Sequence, residues 1–174
     1  MGTKHIVPRA EGEGGIGTAT LGWGELFITN TTNDSSTQGG KLTLTSNDGN
    51  AMQIGSRLGV IEFKGAESSS TLTIGARIEA ICDAAWTATE NGASLKFFTT
   101  DANASESLVL TLDSDKLATF AGAVQINGSL TTGVDDTGSD VRFFSATTGE
   151  GVFYDSSQDE LGLLLTTKLK FHDI

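Results

Sequence analysis

The sequence predicts an all-β protein of short antiparallel strands, arranged in one or two small sandwich- or prism-like modules and completed by oligomerisation. Gly, Ser, Asn and Asp are abundant turn formers, while Thr, Val, Ile and Phe favour strands. No long stretch of Leu, Ala, Glu and Lys indicates a helix. The apolar fraction of 37% is below the usual value of about 45–50%. We therefore expect a thin core that partner chains complete.

Alternation of polar and apolar residues predicts strands along most of the chain. The clearest run covers residues 71–80, whose apolar side chains are expected to share one face, with Thr, Arg and Glu on the other. Asp48-Gly49 and Asn91-Gly92 are dipeptides typical of tight turns. Further strands are expected at residues 41–45, 59–64, 95–98, 108–112, 141–144 and 151–154, with one or two more between residues 161 and 171.

Three segments follow from these patterns. Residues 1–40 are glycine-rich at the start and polar at the end, which predicts an N-terminal attachment or assembly segment of irregular backbone. Residues 41–117 form the first predicted β module and residues 118–174 the second. The boundary between the two modules is predicted to within about five residues, because a polar turn and a run of small residues lie there.

The charge balance excludes some partners. The net charge is −11 and the isoelectric point about 4.4, whereas contacts to nucleic-acid phosphates need clustered Lys and Arg. We expect no nucleic acid and no insertion into a membrane, since no apolar stretch approaches the roughly 18 residues of a spanning helix. Residues 1–10 lack the apolar segment of a signal peptide. Synthesis in the cytoplasm is expected.

No arrangement of residues indicates an enzyme. Cys82 is the single cysteine, and the apolar run around it predicts a buried thiol rather than a nucleophile. The two histidines, His5 and His172, lie near opposite ends of the chain, so a hydrolase triad is not indicated. We expect a non-enzymatic protein.

Two groups of carboxylates are candidate ligands, because Ca²⁺ takes several oxygen atoms. Their spacing does not match an EF-hand, and a solvated acidic loop explains them more simply. A paired-carboxylate glycosidase site is a more distant interpretation. We expect no cofactor, with Ca²⁺ as the alternative. The carboxylates are Asp135, Asp136, Asp140, Asp155, Asp159 and Glu160.

Three aromatic residues, Trp23, Trp86 and Tyr154, are candidates for ligand binding or for an interface. Trp and Tyr are enriched at interfaces because they combine apolar area with a polar tip. Packing at a subunit interface or in the core is the favoured interpretation. Stacking on a sugar ring, as in a carbohydrate-binding module, is the alternative.

Several segments resemble modules of bacteriophage tail fibres and related virion structural proteins, including those of marine phages. In the first, an acidic I-x-A element precedes a tryptophan, and an L-x-F-x-T strand follows. Another segment is similar to the linker that usually comes next. The segments are residues 75–86 (GARIEAICDAAW), 95–100 (LKFFTT), 107–110 (SLVL), 117–128 (LATFAGAVQING), 133–147 (GVDDTGSDVRFFSAT) and 154–156, together with residues 6–10, 17–20 and Trp23 at the start.

The resemblance implies a homo-oligomeric, trimeric and elongated β assembly located in the virion, with other virion proteins and a host-surface glycan as further partners. It implies a structural fibre or spike protein that acts in host attachment. A capsid decoration or head-fibre protein and a carbohydrate-binding receptor-recognition module are the alternatives. It carries over no catalytic residue.

Overall fold

The predicted all-β fold class is confirmed: the described part of the chain contains two antiparallel sheets and no helix. The computed structural model describes residues 25–31, 36–37, 39–134 and 137–169. The first sheet contains β1 (Arg57–Ala66), β2 (Leu72–Cys82), β3 (Ala93–Thr100), β4 (Glu106–Leu112) and β5 (Ala118–Phe120). The second contains β6 (Val141–Phe144), β7 (Gly151–Asp155) and β8 (Glu160–Leu164).

Each strand pairs with the next along the chain, so both sheets are simple meanders. Two tight turns of the first sheet are stabilised in the same way, by an Asp side chain that accepts hydrogen bonds from backbone N–H groups. The Asp101 carboxylate accepts hydrogen bonds from the backbone N–H groups of Asn103 and Ser105. The Asp113 carboxylate accepts one from the N–H of Leu117. Asp stabilises turns in this way because its side chain replaces a backbone acceptor.

Three β-bulges interrupt the first sheet, at Leu58, Gly75 and Val109, each of which is the extra residue opposite a continuous partner strand. A bulge changes which face the following side chains occupy. The prediction that the apolar residues of 71–80 share one face is therefore wrong. Ile78 and its neighbours face one side, whereas Ile74 lies opposite Lys64 on the other.

A glycine in the second sheet makes room for an aromatic side chain. Gly162 in β8 lies directly opposite Phe153 in β7, and the Phe153 ring occupies the space that a side chain at this position would fill. The glycine therefore leaves room for an aromatic ring beside it on the neighbouring strand, a known way of compensating for a strand glycine.

The strand predicted at residues 41–45 is wrong. The structure assigns no strand there, and these five residues are exposed. Leu44 nevertheless contacts the sheet, because its side chain lies against Gly59 of β1. Alternation shows which side chains can be buried, but a strand also needs a neighbouring backbone with which to pair.

The first compact unit ends at Ala121 and the second begins at Gly122. This division is four residues beyond the predicted boundary at residue 118, because β5 pairs with β4 and so belongs to the first sheet. Most of the predicted N-terminal segment, residues 1–40, lies outside the described residues, and its role stays a prediction.

The core is very small. Among the described residues, Cys82 at 1% exposure is the single buried hydrophobic residue, which confirms the predicted buried thiol. Its backbone N–H donates to the Ser56 carbonyl, and its own carbonyl accepts from the Gly55 N–H. No helix in the described ranges is long and apolar enough to cross a membrane.

We expect Gly162→Ala to lower the free energy of unfolding by about 1–3 kcal/mol, because the new Cβ forces the Phe153 ring to move. Urea denaturation at one fixed protein concentration measures the change. The matched control is Gly65→Ala in β1, where an added Cβ meets nothing. It is expected to be neutral or stabilising by up to about 1 kcal/mol. Equal losses in both variants would contradict the role given to Gly162.

Candidate interaction surfaces

The first sheet has an apolar face that crosses all five strands. Ile61, Ile78, Phe97, Leu110 and Phe120 lie opposite one another in successive strands and form one continuous row. We call this row and its neighbours apolar face 1. Its exposed large side chains are Ile61, Phe63, Leu95, Leu112 and Phe120.

Among the described residues of the first unit, Leu44 partly covers apolar face 1. Leu44 lies near Gly59, Ile61 and Leu95 and closes one side of a shallow, mostly apolar hollow of about 150 Å³. Leu44 is itself exposed. This contact therefore leaves most of the face uncovered.

The opposite face of the first sheet carries an ionic network around the buried carboxylate of Glu79, which is 5% exposed. Arg57 Nε lies 3.0 Å from Glu79 Oε2, and an Arg77 nitrogen lies 3.4 Å from Oε1. Arg77 also contacts Glu106 at 2.7 Å and stacks over the Phe98 ring at 4.1 Å. The four charged side chains thus share one face with an aromatic ring.

The network is not fully hydrogen-bonded. Among the described residues, Arg77 Nε and Glu79 Oε2 are buried without a hydrogen-bond partner. The 3.0 Å approach of Arg57 to Oε2 is therefore an ion pair rather than a hydrogen bond, since distance alone defines it. Arg77 contacts Glu79 through Nη2, and it is the less exposed of the two arginines.

The second sheet has an apolar face without any charged side chain. Cross-strand pairing places its side chains in two rows of three, because directly opposed residues share a face. We call this surface apolar face 2. One row contains Val141, Tyr154 and Leu161, and the other contains Phe143, Val152 and Leu163.

Apolar face 2 is largely exposed. Phe143 is 63% exposed and Leu161 is 72% exposed. Sequence reasoning had not chosen Phe143 as a site residue. The signal was present, since Phe143 lies two positions from Val141 in a predicted strand and so faces the same side. The opposite face carries Arg142, whose guanidinium lies 6.0 Å from the centre of the Phe153 ring.

The three predicted aromatic residues are not brought together within one described unit. Trp23 lies outside the described residues. Trp86 is half-buried in the loop after β2, where its indole N–H donates to the Gly92 carbonyl at 3.0 Å. Tyr154 belongs to apolar face 2, and its hydroxyl donates to Asp159 at 3.4 Å. Their assignment to an interface or to a sugar stays a prediction.

Two of the candidate Ca²⁺ ligands accept hydrogen bonds from serine residues. Asp140 accepts hydrogen bonds from the N–H and hydroxyl of Ser156. Asp155 accepts two from Ser157. Asp135 and Asp136 lie outside the described residues, and in the described ranges no three His, Cys, Asp or Glu residues are grouped to hold a metal ion. The geometry gives no support for a Ca²⁺ site.

Comparison with known proteins adds no identification: no protein-family model matches the chain, and no curated protein is similar to it. A function is therefore inferred from the residues and surfaces of the two sheets.

We expect Arg77→Ala to destabilise the protein by about 3 kcal/mol, because it leaves the buried Glu79 carboxylate without its most buried partner. Arg57→Ala is the matched control, since Arg57 approaches the same carboxylate but is half exposed. Its loss is expected to be about 1 kcal/mol or less. Urea denaturation compares the two variants. A larger effect of Arg57→Ala would show that the ranking of the arginines is wrong.

We expect Ser157→Ala to raise the pKa of Asp155. The side-chain and backbone hydrogen bonds from Ser157 hold that pKa below its ordinary value of 3.8, because they favour the ionised form. A pKa that is lower in the folded than in the unfolded state stabilises the folded protein at pH values above the ordinary pKa. This stabilisation is lost as the pH falls through the pKa of the folded state. NMR titration of the Asp155 carboxyl measures the change. An unchanged pKa would contradict the assigned cause.

Proposed function

We propose that the chain is a non-enzymatic structural protein of a bacteriophage virion, which forms a homotrimeric fibre or spike and acts in host attachment. The observation that carries the proposal is that each described unit is a single sheet with an exposed apolar face. Cys82 is the one buried hydrophobic residue in the described ranges.

The energetics support a partner layer. Ordering each residue costs about 1–2 kcal/mol of backbone entropy, and burial of apolar area returns about 25 cal/mol per Å². A three-stranded sheet with an uncovered apolar face buries little area against this entropy cost, so a partner layer would stabilise it. Further copies around an axis supply a shared core, and a closed cyclic arrangement limits growth.

The virion location is supported by the sequence resemblance to fibre modules. The segments that carry it include residues 75–86, 95–100 and 133–147, which contribute to β2, β3 and β6. The non-enzymatic role is supported by the way the carboxylates are used. Glu79 holds arginines, and Asp140 accepts hydrogen bonds from Ser156.

Light scattering of the purified protein at two concentrations tests the oligomer. We expect a constant mass of about 54 kDa, three times the 18.1 kDa of one chain. A mass that grows with concentration would replace the closed trimer by an open filament. A folded monomer at both concentrations would contradict the proposed function.

Antibody labelling of intact virions tests the location. Label on a fibre or spike is the expected result. Label spread over the capsid shell would instead select a capsid decoration protein, and label at fibres that project from the head would select a head fibre. If purified virions carry no label and also contain none of the protein, all three locations are excluded.

A further inference from the structure

Apolar face 2 is a surface with an unusual separation of charge. Its six side chains include five aliphatic or phenyl groups and one tyrosine, whose hydroxyl is turned to Asp159 in the β7–β8 turn. Asp155 and Glu160, which pair at the end of the sheet, lie on the side opposite Tyr154 and Leu161. The interior of the face therefore holds no polar group that needs water.

The second unit does not cover this face with described residues of its own. Within residues 122–134 and 137–169, no hydrophobic residue is buried. A further copy of the same chain is present wherever the chain is made, so it is the simplest partner to cover this face.

Charge also favours a second copy that presents the same face. The chain has a net charge of −11, so two copies repel each other wherever charged surfaces meet. The repulsion is smallest where both surfaces are uncharged, as they are when apolar face 2 meets itself.

The area of apolar face 2 is that of an interaction patch. Its exposed side chains present on the order of 400 Å², which is about half of the roughly 800 Å² that one partner contributes to an interface of standard size. By area, apolar face 2 therefore supplies a substantial part of a contact between copies.

We propose that apolar face 2 is a self-association surface, on which the same face of further copies of this chain packs, with Phe143 as its central contact. The inference rests on the proposed homo-oligomer and assigns the residues that build it. Phe143 is the aromatic residue of the face with the largest exposed fraction, and large aromatic side chains dominate the energetics of interfaces.

The chain supplies a matched control for Phe143. Phe144 is the next residue in β6, is 77% exposed and lies on the opposite face. We expect Phe143→Asp to raise the concentration at which half of the chains are assembled by at least about 30-fold. Phe144→Asp is expected to leave that concentration within about threefold of the original. Sedimentation measures both, with circular dichroism to follow strand content.

A second pair of variants keeps the test valid if Phe143→Asp does not fold. Cys82 is buried and gives little background, so maleimide modification reports on one introduced thiol. In assembled protein, we expect Phe143→Cys to react at least about tenfold more slowly than Phe144→Cys. On dilution below the assembly concentration, the two rates are expected to converge.

The outcomes separate this inference from the proposed function. Original protein that is monomeric contradicts both. An oligomer that survives Phe143→Asp, or in which both thiols react equally, overturns the self-association surface and leaves the oligomer standing. Protection of Cys at position 143 that persists in a monomer shows that the chain covers its own face, which also overturns the inference.

Discussion

The whole structure depends on one constraint: a β-sheet that is one layer thick must bury one face against something else. In the first unit a single row of apolar side chains, from Ile61 to Phe120, crosses all five strands. In the second unit two rows of three form the equivalent face. Neither face has a covering layer among the described residues of its own unit, which is why we propose that the burial that stabilises most domains comes here from association between copies.

Several features of the first sheet hinder pairing at its edges, which favours contact through its faces in the proposed oligomer. The outer strand β1 carries the Glu62–Lys64 ion pair and a bulge, and the other outer strand, β5, has three residues. Charge, bulges and short length all hinder pairing at sheet edges. The buried network around Glu79 is confined to the face opposite apolar face 1, which keeps that apolar face free of charge.

Much of the fold could be predicted from alternation, because period-2 patterns report strands directly. The structure contains strands at the positions predicted for residues 59–64, 95–98 and 141–144. The bulges could not be predicted, since the extra residue at Gly75 is visible only when the partner register is known, and it reverses the face of Ile74. Residues 41–45 show the same pattern without a backbone to pair with. Of the predicted aromatic residues, Tyr154 lies on the exposed apolar face. Phe143 was missed because alternation does not show how exposed a side chain is, which depends on whether another layer covers the sheet.

The most direct test of shared burial is the dependence of unfolding on protein concentration. Urea denaturation across a hundredfold range of concentration measures the midpoint at each step. If copies of the chain complete one another's core, the midpoint rises with concentration, because association stabilises only the folded state. A midpoint that stays constant over the whole range, in protein whose mass is that of one chain, would contradict the account.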